Sequence, residues 1–119
     1  MVSEDEIKAA GAAVAPRITP ADIEANIKAC LYFSALDAVV AHHGGMVDPD
    51  RLRGVETPLS LLTFCVLVLQ NGFTVTGESA CASPENFNAD IGRKVARGNA
   101  VSKVWSLMGY ELKTKLSGN

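Results

Sequence analysis

Arg93 and Arg97 stand one helical turn apart in the run Ile91-Gly92-Arg93-Lys94-Val95-Ala96-Arg97. Guanidinium groups grip phosphate in a bidentate fork, so such a pair could clamp one phosphate or two linked ones. The same pair equally suits the rim of a core, stems buried and heads in water. Upstream, Ser83-Pro84-Glu85-Asn86-Phe87 carries a helix-start signature. Free N–H groups at a helix start attract anions. Phe87 could stack on a base and Asn86 could hydrogen-bond its edge. Glu85 would compete with an anion, and capping plus a hydrophobic anchor is the simpler use of this segment.

Catalysis finds less material. Cys81 would need a nearby base to act as a nucleophile, and the only histidines, His42 and His43, lie in a distant stretch. A buried structural thiol is the expected role. Adjacent histidines rarely converge on one metal without further ligands, so no metal site is expected. Nothing resembles a P-loop, a GxGxxG turn, a catalytic triad or an HExxH helix. A binding protein is expected, not an enzyme, with no cofactor and no catalytic residues.

Composition agrees with a small globular domain. The chain has 119 residues, 48% hydrophobic and 20% charged, with a net charge of -2. That charge argues against a long nucleic acid as partner. Charge is uneven: residues 1–50 hold eight acids and three bases, whereas residues 91–119 hold six bases and the single acid Glu111. Cys30, Cys65 and Cys81 show no zinc or disulfide spacing and fit reduced thiols in a cytoplasm. The longest mostly apolar run, Leu61–Leu69, is too short for a membrane span. The acidic start Ser3-Glu4-Asp5-Glu6 is unlike a secretion signal.

The elements that must position these residues follow from pattern. Residues 3–14 suit a short helix capped by Ser3 and Glu6 and stopped by Pro16. Thr19, Pro20 and Asp22 start a second helix, with Ile23 and Ile27 on its buried side. After Cys30 the helix either continues to Val40 or breaks into a strand at Leu31-Tyr32-Phe33; a break is preferred. Residues 42–58 read as loop. Leu61–Leu69 is strand-like, Asn71-Gly72 predicts a type I′ turn, and Phe73–Thr76 is the return arm. Gly77–Ala82 leads out to a helix from about Asn86 or Asn88 to Met108. Its expected buried arc is Ile91, Val95, Val101, Trp105 and Met108, and Gly109 suits its C-terminal cap. Gly92 and Gly98 suggest close packing under a crossing helix. Tyr110–Leu116 reads as a strand or a further helical turn.

Asn71-Gly72-Phe73-Thr74-Val75-Thr76-Gly77-Glu78-Ser79-Ala80-Cys81 resembles the central motif of a family of small phage and prophage proteins. The family is named after gene product forty-nine of one phage and gene product sixty-six of another. The similarity continues through Ser83–Phe87, Ile91–Lys94, Asn99-Ala100, Lys103-Val104-Trp105 and Gly109-Tyr110. It is strong over 61–116 and weak over 18–28. Phage anti-Thoeris signal sponges look like distant members. That likeness implies a cytoplasmic homo-oligomer that holds a cyclic ADP-ribose isomer or a cyclic oligonucleotide without cleaving it, countering host immunity. Two departures stand out: Gly98, where similar sequences often carry an acid, and the unmatched stretch 31–58.

The resulting expectation is an α+β domain over 18–119, preceded by an arm over 1–17 that is helical or mobile. A small antiparallel sheet with a hairpin over about 61–76 packs on an N-terminal helix and a long C-terminal helix over about 86–108. Adenine calls for an aromatic platform and pyrophosphate for guanidinium. The candidate ligand-binding set is therefore Phe73, Ser83, Asn86, Phe87, Arg93 and Arg97. Expected partners are a small nucleotide-type ligand and further copies of the chain, since a lone hairpin with an apolar arm needs cover; no membrane is expected. The alternative is a phage accessory protein that binds and modulates a host protein through its acidic arm and the 42–58 segment.

Overall fold

The computed structural model describes residues 2–11 and 15–118. Three antiparallel strands form one sheet in the order β1-β2-β3: β1 Ile27–Ser34, β2 Leu62–Leu69 and β3 Thr74–Ala80. Helices α1 Glu4–Ala9 and α2 Pro20–Asn26 precede the sheet, and α3 Ala35–His42, α4 Pro49–Leu52 and α5 Glu56–Ser60 join β1 to β2. A 3-10 turn, Pro84–Asn86, leads into α6 Ala89–Leu116. The architecture is α+β, as the sequence suggested.

Caps set the helix starts. Ser3 accepts from the Glu6 N–H, so α1 begins as expected, but it ends at Ala9. Residues 12–14 of the expected helix lie outside the described residues. Thr19 and Asp22 form a reciprocal capping box, with Pro20 in the first turn of α2. The break after α2 is real and comes early: β1 begins at Ile27, and Ser34 then caps α3. The expected loop at 42–58 contains α4 and most of α5, helices too short for a periodic signal.

The hairpin is present with a different turn. Gly72 N–H reaches the Leu69 carbonyl at 2.9 Å, and Leu69 N–H reaches the Phe73 carbonyl at 2.8 Å. Gly72 has φ +90°, while no described non-glycine residue has positive φ. A type I′ turn needs positive φ at both central residues, so Asn71 rules it out. This is a three-residue loop, a type I turn closed by a left-handed glycine. The return arm also runs past Thr76 to Ala80.

One sheet face carries the core. Cys65, Leu67, Leu69 and Val75 pack with Ile23 of α2 and with Ala96, Ala100 and Val104 of α6. The expected helical arc holds for Val101, Trp105 and Met108, which pack half-buried against this core, and is corrected for its first two members. Ile91 is 60% and Val95 47% exposed, and the buried stripe runs through two alanines and a valine. Small residues are needed there because a Cβ on Gly77 would lie 2.2 Å from the Ala96 carbonyl oxygen and 2.3 Å from the Ala100 nitrogen. The strand and helix touch backbone to backbone. Gly92 faces Thr63 of the sheet rather than a crossing helix, and Gly98 faces open space.

α6 also ends later than expected, at Leu116 rather than Met108. Gly109 lies inside it, and Glu111 and Lys115 pair across one turn at 3.8 Å. The half-buried Met108 and Leu112 carry the 96–100–104 stripe forward at helical spacing, which outweighs the glycine's cost of about 1 kcal/mol.

Candidate ligand-binding site

α6 runs antiparallel along β3, pinned where the Asn99 amide donates to the Glu78 carbonyl at 2.7 Å. Beyond this pin the strand and helix splay into an open groove of about 540 Å³. Phe73, Thr74 and Thr76 line its sheet side, and Lys103, Ser106 and Tyr110 its helix side, with the buried Val75 and the exposed Leu107 adding apolar contact. Phe73 is 56% and Tyr110 78% exposed, leaving both rings free to take a flat partner. Lys103 makes no ion pair with any described residue, and no carboxylate lines the groove. An aromatic pair, a free ammonium and three hydroxyls suit a ring system that carries an anionic group and hydroxyls of its own. Beyond Phe73 and Leu107, a smaller cavity of about 240 Å³ is bordered by Asn26, Asn71 and Glu111.

The other expected site residues sit elsewhere. Phe87 and Arg93 meet in a cavity of about 220 Å³ that also contains Tyr32 and Asp37. Arg93 is already bonded to Asp90, and Asp37 would repel an anion entering this cavity. Asn86 and Phe87 border a further hollow beside Cys81, of about 180 Å³. The Ser83 hydroxyl donates to Glu85 and holds that carboxyl below its ordinary range, so negative charge is stabilised at the turn. Arg97 bonds both oxygens of Glu24, at 2.9 and 2.8 Å, and ties α6 to α2; that bond raises its pKa further.

Thus Phe73 and the pair Phe87–Arg93 occupy different ends of the molecule. Lys103 follows Arg93 by ten positions, about 15 Å along the helix axis. The two arginines, one turn apart, each face their own carboxylate and form no shared clamp. Lys103 and Tyr110 escaped the sequence reading. Their signal was the stripe Asn99, Lys103, Ser106, Tyr110, which is visible only if α6 continues past Gly109.

The thiols are quiet. Cys30 and Cys65 lie 3.7 Å apart, sulfur to sulfur, under α6. Burial first, then the hydrogen bond to Cys30, pushes the Cys65 thiol up to about 12. The Cys30 contact, then burial, likewise pushes Tyr32 up to about 12. The Cys81 thiol donates to the Ser83 carbonyl at 3.1 Å. Among the described residues, no three His, Cys, Asp or Glu side chains cluster to hold a metal, and no helix is long and apolar enough to cross a membrane.

No curated protein and no solved structure matches the chain significantly. The model of one family, described as phage protein (N4 Gp49/phage Sf6 gene 66), matches residues 18–116. That span takes in the whole sheet, the connecting helices and α6, with only the α1 arm and the last residues outside it. The chain therefore belongs to the phage protein (N4 Gp49/phage Sf6 gene 66) family.

Proposed function

We propose that this phage-family protein is a non-enzymatic binder that sequesters a nucleotide-derived signal, a cyclic ADP-ribose isomer or a cyclic oligonucleotide, in the cytoplasm of a host cell. The observation that carries the reading is the groove between β3 and α6, where Phe73, Tyr110 and an unpaired Lys103 share one opening. Its volume falls in the range of small-molecule sites. Electrostatics favours it over the Phe87–Arg93 cavity, because Lys103 is unopposed whereas Arg93 is neutralised by Asp90 beside Asp37. Nothing in the groove pairs a nucleophile with a base, so retention of an intact ligand is the chemistry it suits.

Native mass spectrometry against cyclic ADP-ribose isomers and cyclic di- and trinucleotides tests this. The expected result is stoichiometric binding, release of unaltered ligand on heating, and about tenfold or greater weakening in Phe73→Ala and in Lys103→Ala. Arg93→Ala with Arg97→Ala should retain binding. Loss of binding only in that double variant would move the site to the other end of α6. No binding across the panel would overturn sequestration.

A second reading, contact with a host protein, draws on Met46. This flexible apolar side chain is 87% exposed between α3 and α4. A stoichiometric host partner lost in Met46→Asp and retained in Lys103→Ala would favour it.

A further inference from the structure

β2 reads Leu-Thr-Phe-Cys-Val-Leu-Val-Leu, apolar on both faces, yet only one face is fully buried and the other half-buried. Thr63, Cys65, Leu67 and Leu69 are buried beneath α6 and α2. Leu62, Phe64, Val66 and Val68 point the other way. Strand register places Leu31 opposite Val66 and Phe33 opposite Phe64 on that same side. The six side chains form one apolar surface, with Phe33 and Phe64 stacked at 5.3 Å. Leu31 is 59% and Phe33 38% exposed. The molecule is 18 Å across its thinnest direction, room for a sheet and one helix layer but not for a third.

The whole chain exposes more surface than a compact one of its mass, part of it along the projecting length of α6. Its accessible surface is 8067 Å². A compact monomer of this mass exposes about 6,200 Å². A standard interface takes about 800 Å² from each partner, so the excess is ample for one. At the paired positions of β1 and β2 this face carries aliphatic and aromatic side chains, while the edge strand β3 adds Thr74, Thr76 and Glu78 at its border, opposite Val68, Val66 and Phe64. Surfaces met by transient partners are mixed in polarity, whereas an apolar surface without charge at its centre resembles a homodimer interface, a core cut in two.

We infer that the open face of the sheet is where two copies of this chain pack, sheet against sheet about a twofold axis. One patch then serves both partners, and β2 becomes covered on both sides as its sequence demands. The inference stands apart from the ligand reading, since its readout is mass.

Sedimentation equilibrium and light scattering on the full chain from 1 to 100 µM, about the range in which specific dimers are resolved, provide the test. The expected mass is twice 12.6 kDa or an even multiple of it. Val66→Asp and Leu31→Lys should raise the dissociation constant at least about tenfold. Helical circular dichroism should be unchanged in Leu31→Lys, whose side chain is already largely exposed in the single chain. Ile91→Lys, on the outer side of α6, should leave the mass unaltered. A wild-type monomer at the highest concentration would overturn the inference. So would a folded Leu31→Lys variant that associates as wild type does.

Discussion

Arg97 binds Glu24 with both carboxylate oxygens, yet this bridge is a clasp between helices more than a source of stability. The Glu24 side chain is 59% exposed, and exposed pairs contribute about 0–1 kcal/mol. Cys65 matters more to pH dependence. Burial keeps its thiol neutral in the fold, with a pKa of about 12 against an ordinary 9.0, and Tyr32 is raised in the same sense from 10.0. A raised folded-state pKa gives stability that is complete below the unfolded value and is lost as pH climbs through the folded one. The melting temperature should therefore fall between pH 9 and about 12, and Cys65→Val should flatten the first part of that fall. Thermal melts across this range check it; equal slopes in both proteins would refute the assignment. Under native conditions at pH 8, Cys65 should also resist alkylation, read by mass spectrometry before and after unfolding.

Gly77 and Gly98 make opposite predictions at the scale of elements. A Cβ at Gly77 would enter the backbone of α6, so Gly77→Ala should destabilise by about 1–3 kcal/mol in urea unfolding. Gly98 lies on an open stretch of the same helix, so Gly98→Ala should stabilise by about 0.5–1 kcal/mol. The sequence alone suggested close packing at Gly98, which faces open space, and read Gly77 only as the way out of the hairpin. It also read the hairpin, the Thr19 cap and the Asn88 region of the helix start, because each rests on local chemistry. It missed the end of α6 and the groove, because both depend on a buried stripe of small residues. Ala96 and Ala100 score weakly as apolar residues, but their smallness is what the sheet requires. Arg93 and Arg97 looked like a clamp for the complementary reason: Glu24, which occupies Arg97, is remote in sequence and reaches it only in the fold.

The whole molecule measures 59 × 32 × 18 Å with a radius of gyration of 18.7 Å. A compact chain of this length would have about 13.5 Å. Sheet-on-sheet pairing thickens such a body without lengthening it. With sheets about 10 Å apart, small-angle scattering should give a radius of gyration near 21 Å for the pair. Copies joined tip to tip would give about 35 Å. The first value fits the open face as the seam, and the second would place the seam at the ends of the molecule.

The meeting of Gly77 with Ala96 and Ala100 has a mechanical side. No side chain cushions the helix there, so α6 lies directly on the strand, as a beam on its bearing. Phe87 and Arg93 lie toward one end of the beam, Phe73, Lys103 and Tyr110 toward the other. The closeness of that contact sets the distance between sheet and helix, and with it the depth of the groove beside Phe73. A side chain at position 77 would lift the helix from the strand and be felt at both ends.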